Sequence, residues 1–212
     1  MSFDRLAPHD RWMEAILAGR KLQRCRTAFL DKVRTAEHAL ILGEGNGCFL
    51  QEFLKTNPHA RLTCLDASRR MLEMARQRVA KNADDLSRVE FVHADALSWH
   101  GAERKYDLVV THFFLDCFRP EQLELLIRNV AAQATPRAAW LLADFQRPAT
   151  GMRRWRAALI LKLMYAFFGV MTALPAKRWT APDPFLRELG FQLIERRESE
   201  WGLLHSDLWS RG

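Results

Sequence analysis

Ala39-Leu40-Ile41-Leu42-Gly43-Glu44-Gly45-Asn46-Gly47 decides the fold of this chain, with four consecutive apolar residues running into three glycines at alternate positions. The apolar run is a buried strand, and the glycines are a turn into a helix. Glycine tolerates positive φ and lets a ligand approach backbone where a Cβ would collide, while the free N–H groups of the following helix point at that ligand. Such a turn suits a nucleotide-like molecule, although a tight strand-to-helix turn without a ligand makes similar demands. The spacing narrows the class. A dinucleotide fingerprint, G-x-G-x-x-G, needs its third glycine where Cys48 stands, whereas this turn is G-x-G-x-G.

Outward from the turn, strands and helices alternate. Arg61–Leu65 reads as a short strand ending in Asp66. A helix begins near the N-cap Ser68 and carries Met71, Leu72, Ala75 and Val79 on one face. Val89–Val92 ends near Asp95, and Asp107–Val110 ends near Thr111-His112. Pro120 occupies a first helical position, ahead of the stripe Leu123, Leu126, Ile127 and Val130. A strand at Ala139–Ala143 follows. Repeated strand-helix units with near-continuous apolar strands predict an α/β fold with a mostly parallel sheet covered on both faces. Two alternating runs around Gly202, Phe191–Glu195 and Leu203–Trp209, predict a terminal antiparallel pair. In such sheets ligands bind outside the carboxyl ends of the strands. The glycine turn, Asp66, Asp95 and the segment from His112 to Asp116 all stand at such ends.

The chain has 212 residues and a formal charge of +7. Its length suits one domain, residues 1–212, with no linker-like stretch. Cys25, Cys48, Cys64 and Cys117 lack paired spacing, which argues for reduced thiols and against a metal site. The opening residues lack the basic-then-apolar order of a secretory signal, so a cytoplasmic protein is expected. Arg69, Arg70, Arg76 and Arg78 read as ordinary solvated helix positions. Arg153, Arg154 and Arg156 cluster before a long apolar stretch.

Four segments, LILGEGNGCFL at 40–50, LDASRRMLEMAR at 65–76, VEFVHADAL at 89–97 and YDLVVTHFFLDCF at 106–118, resemble the class I S-adenosylmethionine-dependent methyltransferases. The resemblance implies a Rossmann-like three-layer sandwich with a seven-stranded, mostly parallel sheet ending in an antiparallel hairpin. It implies S-adenosyl-L-methionine as cofactor. Gly43, Gly45 and Gly47 would then lie against its methionine part, Asp66 and Ala67 by its ribose, and Asp95 and Ala96 by its adenine. The family carries an acidic residue two positions before the first glycine, where this chain has Ile41, and Glu44 is the candidate replacement. Asp66 also suits helix capping, and Asp95 a solvated loop. The opening FDRLAPHDRWME at 3–14 resembles the cover segment of small-molecule members, which makes residues 1–35 an N-terminal helical cover and His9 and Trp12 candidate substrate contacts.

A sulfonium methyl is already electrophilic, so aligning the nucleophile does most of the work and a general base is optional. His112 and Asp116, after strand four, are the candidate catalytic residues, and His112 also belongs to the candidate cofactor set. A histidine packed under the next helix would look the same in sequence. After strand four the chain reads Thr111-His112-Phe113-Phe114, without the Pro-Pro run of amino-methylating nucleic-acid enzymes, which favours a small-molecule substrate over nucleic acid. Phe114 and Tyr165 complete the candidate substrate contacts. Residues 150–182 form an apolar helical insertion, readable as a core helix, a substrate lid or, through 153–178, a peripheral membrane contact. A quinone-like, lipid or polyketide acceptor suits it. Two rivals remain, an NAD(P)-dependent oxidoreductase using Asp66 on the ribose and a non-catalytic RNA-binding module.

Overall fold

The computed structural model describes residues 19–101, 105–146 and 180–212. Helix α1 (Gly19–Arg26) and a 3-10 turn (Leu30–Val33) lead into β1 (His38–Leu42), α2 (Cys48–Thr56), β2 (Arg61–Asp66), α3 (Arg69–Val79), α4 (Ala83–Ser87) and β3 (Val89–His93). There follow β4 (Tyr106–His112), a 3-10 turn (Leu115–Cys117), α5 (Pro120–Gln133) and β5 (Ala134–Phe145). The described chain ends with α6 (Asp183–Glu188), β6 (Phe191–Ser199), a 3-10 turn (Glu200–Gly202) and β7 (Leu204–Arg211).

These strands form one seven-stranded sheet in the order β3-β2-β1-β4-β5-β7-β6. Pairing is parallel from β3 to β5, and β7 lies antiparallel between β5 and β6. The fold is thus the anticipated Rossmann-like sandwich with a C-terminal antiparallel hairpin. A dinucleotide-binding sheet continues 3-2-1-4-5-6 from two mononucleotide halves. The inserted β7 therefore separates this architecture from that of the oxidoreductase rival.

Alternating strand residues feed two cores, as a sheet buried on both faces requires. Leu40, Leu42, Val109, Trp140, Leu142 and Trp209 pack with Leu123, Leu126, Ile127 and Val130 of α5 and Leu186 of α6. Ala39, Ile41, Leu62, Cys64, Leu108, Val110 and Leu141 pack on the other face with α2 and α3. Trp140 is wholly buried, and its indole N–H donates to Thr111 Oγ1 at 2.8 Å. That bond removes the penalty of an unpaired buried donor.

The outer strands run further than the local pattern predicts. β5 has 12 residues because β7 pairs with it from Ala139 to Phe145 and Ala134 pairs with Tyr106. β6 continues through the charged Glu195–Glu198, which an edge strand with an outward face tolerates. α1 packs Leu22 and Cys25 against Ala143, Phe145, Leu203 and Leu204. Among the described residues no helix is long and apolar enough to cross a membrane. Residues 1–18 of the N-terminal cover, with His9 and Trp12, lie outside the described residues, as do 147–179 of the apolar insertion, with Tyr165 and the segment 153–178.

Candidate functional site

The site begins at the reversal of strand order between β1 and β4, where the crevice of an open α/β sheet lies. All three turn glycines have positive φ: +64° at Gly43, +71° at Gly45 and +83° at Gly47. Two of them also answer to close neighbours. A Cβ on Gly43 would stand 2.3 Å from Cδ2 of Phe114, and one on Gly47 would stand 2.8 Å from Cα of Ala75 in α3. Gly47 is the N-cap of α2 and has no side chain to cap it. Glu44 supplies the missing acceptor, taking the Leu50 amide at 2.8 Å with Oε1 while itself buried. A carboxylate in this place also satisfies the positive end of the helix dipole.

Arg78 departs from its sequence assignment. Rather than standing in solvent, its Nε donates to the Asn46 carbonyl at 2.9 Å, tying α3 to the turn. Ile41 faces the α2 and α3 core and is 1% exposed. An apolar side chain suits that packing.

Asp66 ends β2 and remains partly exposed, with Oδ1 accepting the Ser68 amide at 2.8 Å. Ser68 is the helix cap, its Oγ accepting the Met71 amide at 3.2 Å. The Ala67 carbonyl lies 3.1 Å from His93 Nε2. Asp95 is exposed beyond β3, its Oδ1 accepting the Leu97 amide at 2.9 Å, and Ala96 is buried behind it. Because β3, β2 and β1 are successive neighbours, Asp95, Asp66 and the glycine turn follow one another along one edge of the sheet.

The end of β4 gives His112 and Asp116 different neighbours. His112 packs edge-on against Phe49 of α2 with ring centroids 4.5 Å apart, and its buried Nδ1 has no partner among the described residues. Burial, with Arg26 nearby, holds the imidazole well below its ordinary pKa, so the ring is neutral. Phe113 then takes a positive φ of +53°, a costly conformation for an aromatic residue. Its ring meets Phe145 at 5.1 Å, and the Arg26 guanidinium lies 5.3 Å above it. Through this reversal Phe114 comes over Gly43.

Asp116 belongs to a different cluster, which includes Asp144, a residue that sequence reasoning missed. Asp144 is 3% exposed near the end of β5 and accepts the Phe145 amide at 2.8 Å and the Asp116 amide. Burial and the neighbouring Asp116 charge push its carboxyl well above the usual range. Burial raises Asp116 to about 6. The available signal was an acidic residue interrupting the apolar run Leu141-Leu142-Ala143-Asp144-Phe145 at the ligand edge of the sheet.

The glycine turn and the acidic residues at successive strand ends stand where an open α/β sheet has its crevice, a place whose chemistry suits a nucleoside-like ligand. Residues 39–137 match the methyltransferase domain family. That match spans just under half of the chain, and with the sheet order of a Rossmann-like methyltransferase fold it is consistent with a class I S-adenosylmethionine-dependent methyltransferase. An O-methyltransferase family protein from Burkholderia thailandensis is 20% identical with a TM-score of 0.68, over 90% of this chain and 57% of that one. The N-methyltransferase NodS from Bradyrhizobium japonicum, in complex with S-adenosyl-L-homocysteine, is 16% identical with a TM-score of 0.63, over 91% and 84%. Ribosomal RNA large subunit methyltransferase G of Shewanella amazonensis is 44% identical over 69 residues, which are 32% of this chain and 18% of that protein.

Proposed function

We propose that the chain transfers a methyl group from S-adenosylmethionine to a small, apolar acceptor by direct displacement. The observation that carries this reading is the succession Asp95, Asp66 and Gly43–Gly47 along the edge β3-β2-β1. It matches the order adenine, ribose, methionine of an extended cofactor. A carboxylate at Asp66 can accept both ribose hydroxyl protons, and Asp95 can accept from the adenine amino group. Glu44, held at the N-terminus of α2, is the carboxylate assigned to the methionine amino group in place of an acid at Ile41.

The cofactor supplies a methyl group on a sulfonium. The chain supplies orientation: Phe114 over Gly43 closes the crevice, and alignment of this kind contributes about 7 to 11 kcal/mol. Asp116, whose amide is held by the Asp144 carboxylate, is assigned beside the acceptor. His9, Trp12, Phe114 and Tyr165 are assigned to the acceptor, and the apolar insertion to its cover or to a membrane surface.

Titration of the full chain with S-adenosylhomocysteine tests the cofactor assignment. Binding is expected, with Asp66→Ala weakening it by roughly 1 to 3 kcal/mol. Tight NADH binding without S-adenosylhomocysteine binding would defeat the proposal. Methyl-labelled cofactor in cell extract tests the acceptor, the label being expected in the organic phase. The local likeness to a ribosomal RNA methyltransferase, with the charge of +7, favours RNA as a second reading. Label retained in RNA would establish it.

A further inference from the structure

β7 opens with a polar run deep in the sheet: His205, Ser206 and Asp207 are 2%, 4% and 0% exposed. Ser206 has a local purpose, since its hydroxyl donates to the Cys25 carbonyl of α1 at 2.7 Å. His205 and Asp207, two residues apart, share the opposite face. The Asp207 carboxylate meets Arg196 Nε at 2.7 Å, Arg196 Nη2 at 2.6 Å, His205 Nδ1 at 3.0 Å and Trp209 Nε1 at 3.3 Å. Arg196 Nη2 also reaches both carboxylate oxygens of Asp183, at 3.1 and 3.0 Å. Burial alone would raise the Asp207 carboxyl, but the bonds from Arg196 and His205 prevail and hold it below its ordinary value.

An ionised carboxylate against Nδ1 selects one imidazole tautomer. Nδ1 carries the proton, and Nε2 presents its lone pair. The location matters equally. His205 is the direct cross-strand partner of Asp144, whose carboxylate takes the Asp116 amide at the carboxyl end of β4. On the other side His205 pairs with Glu198, an exposed residue that accepts from Gln146 Nε2 at 2.8 Å. The oriented imidazole therefore stands at the ligand edge of the sheet, on the face that carries Asp144.

We propose that His205, held in one tautomer by Asp207, receives the proton of a phenolic or enolic hydroxyl on the acceptor. The proposal rests on the methyl-transfer reading and assigns oxygen as the acceptor atom. As the O–CH3 bond forms and the S–CH3 bond breaks, the sulfonium becomes a neutral thioether. The hydroxyl proton passes to His205 Nε2, and the imidazolium charge is met by Asp207. A neutral amine attacks with a lone pair it already has, but a phenol, with a pKa of about 10, is a weak nucleophile until its proton leaves. A neutral imidazole whose Nε2 carries a lone pair can accept that proton in the transition state.

The test uses the full chain, S-adenosylhomocysteine and 4-nitrophenol, whose ionised form absorbs visible light. S-adenosylhomocysteine is titrated first into the parent and His205→Gln, and equal affinity is expected. No binding to the parent would reject methyl transfer itself. Added to the saturated parent, 4-nitrophenol is expected to show more phenolate than buffer of the same pH, and His205→Gln to lose that excess. Nitrogen-15 imidazole spectra of the parent provide a second readout that needs no variant. Nε2 is expected unprotonated in the cofactor-product complex, shifting towards the protonated position with 4-nitrophenol. A protonated Nε2 at the start, no phenolate excess in the parent, or an equal excess in His205→Gln would each overturn the proposal.

Discussion

The ring of Phe114 closes over Gly43 so nearly that a Cβ at Gly43 would stand 2.3 Å from its Cδ2. The contact joins the end of β1 to the segment after β4 across the reversal of strand order. It explains why that turn position admits no side chain.

Gly43→Ala and Gly47→Ala should therefore differ in kind. Alanine at either place carries backbone strain of about 1 to 3 kcal/mol from its positive φ. At Gly43 the obstacle is a side chain, which can swing aside and open the crevice. At Gly47 it is the Ala75 backbone, which cannot. Chemical denaturation should find Gly47→Ala the less stable variant, while Gly43→Ala keeps more stability and loses S-adenosylhomocysteine affinity.

Glu44 is expected to separate structural from binding effects. Glu44→Gln keeps an acceptor for the Leu50 amide, whereas Glu44→Ala loses the cap, at a cost of about 0.5 to 2 kcal/mol. If Glu44 also meets the cofactor amino group, Glu44→Gln should weaken S-adenosylhomocysteine binding with little loss of stability. Calorimetric binding beside thermal unfolding checks both outcomes.

Asp116 should make stability depend on pH in a definite direction. Its folded pKa of about 6 lies above the ordinary carboxyl value, so the native state holds a proton that the unfolded chain has released. The associated stability is present below about pH 4 and lost as pH rises through about 6. Asp116→Asn should remove that fall and gain on the order of 2 kcal/mol over the parent at pH 8, read from urea denaturation at pH 5 and 8.

His112 should act in the opposite sense. Its folded pKa is depressed, so its contribution is present above the ordinary imidazole pKa and lost as pH falls below it. His112→Phe removes both that loss and a buried nitrogen unpartnered among the described residues, and should be the more stable protein at pH 5. An accompanying loss of S-adenosylhomocysteine affinity would support the cofactor assignment. Unchanged affinity would leave His112 a packing residue beside Phe49.

Local chemistry made much of this protein legible. Apolar runs of four or five residues, alternating with amphipathic stripes, are sufficient for a parallel sheet covered on both faces. Ser68 and Pro120 mark helix starts because capping and a fixed φ act within one turn. The glycine turn was equally readable, since positive φ is a property of single residues. α4 and α6 were not, because five and six residues do not show a helical period.

The lost information is long-range. Nothing near Asp144 in sequence announces Asp116, and nothing in Glu195–Glu198 announces that Arg196 will clamp Asp207 on the adjoining strand. Strand pairing placed those charges together, and burial then altered their proton affinities. By itself the sequence determined the strand-turn-helix unit and its acidic strand ends. Only the tertiary structure decided that His112 meets Phe49 while Asp116 meets Asp144, that Glu44 caps α2, and that His205 and Asp144 face each other. Those outcomes depend on which strands are neighbours and which face each side chain takes, and contacts between distant segments settle both.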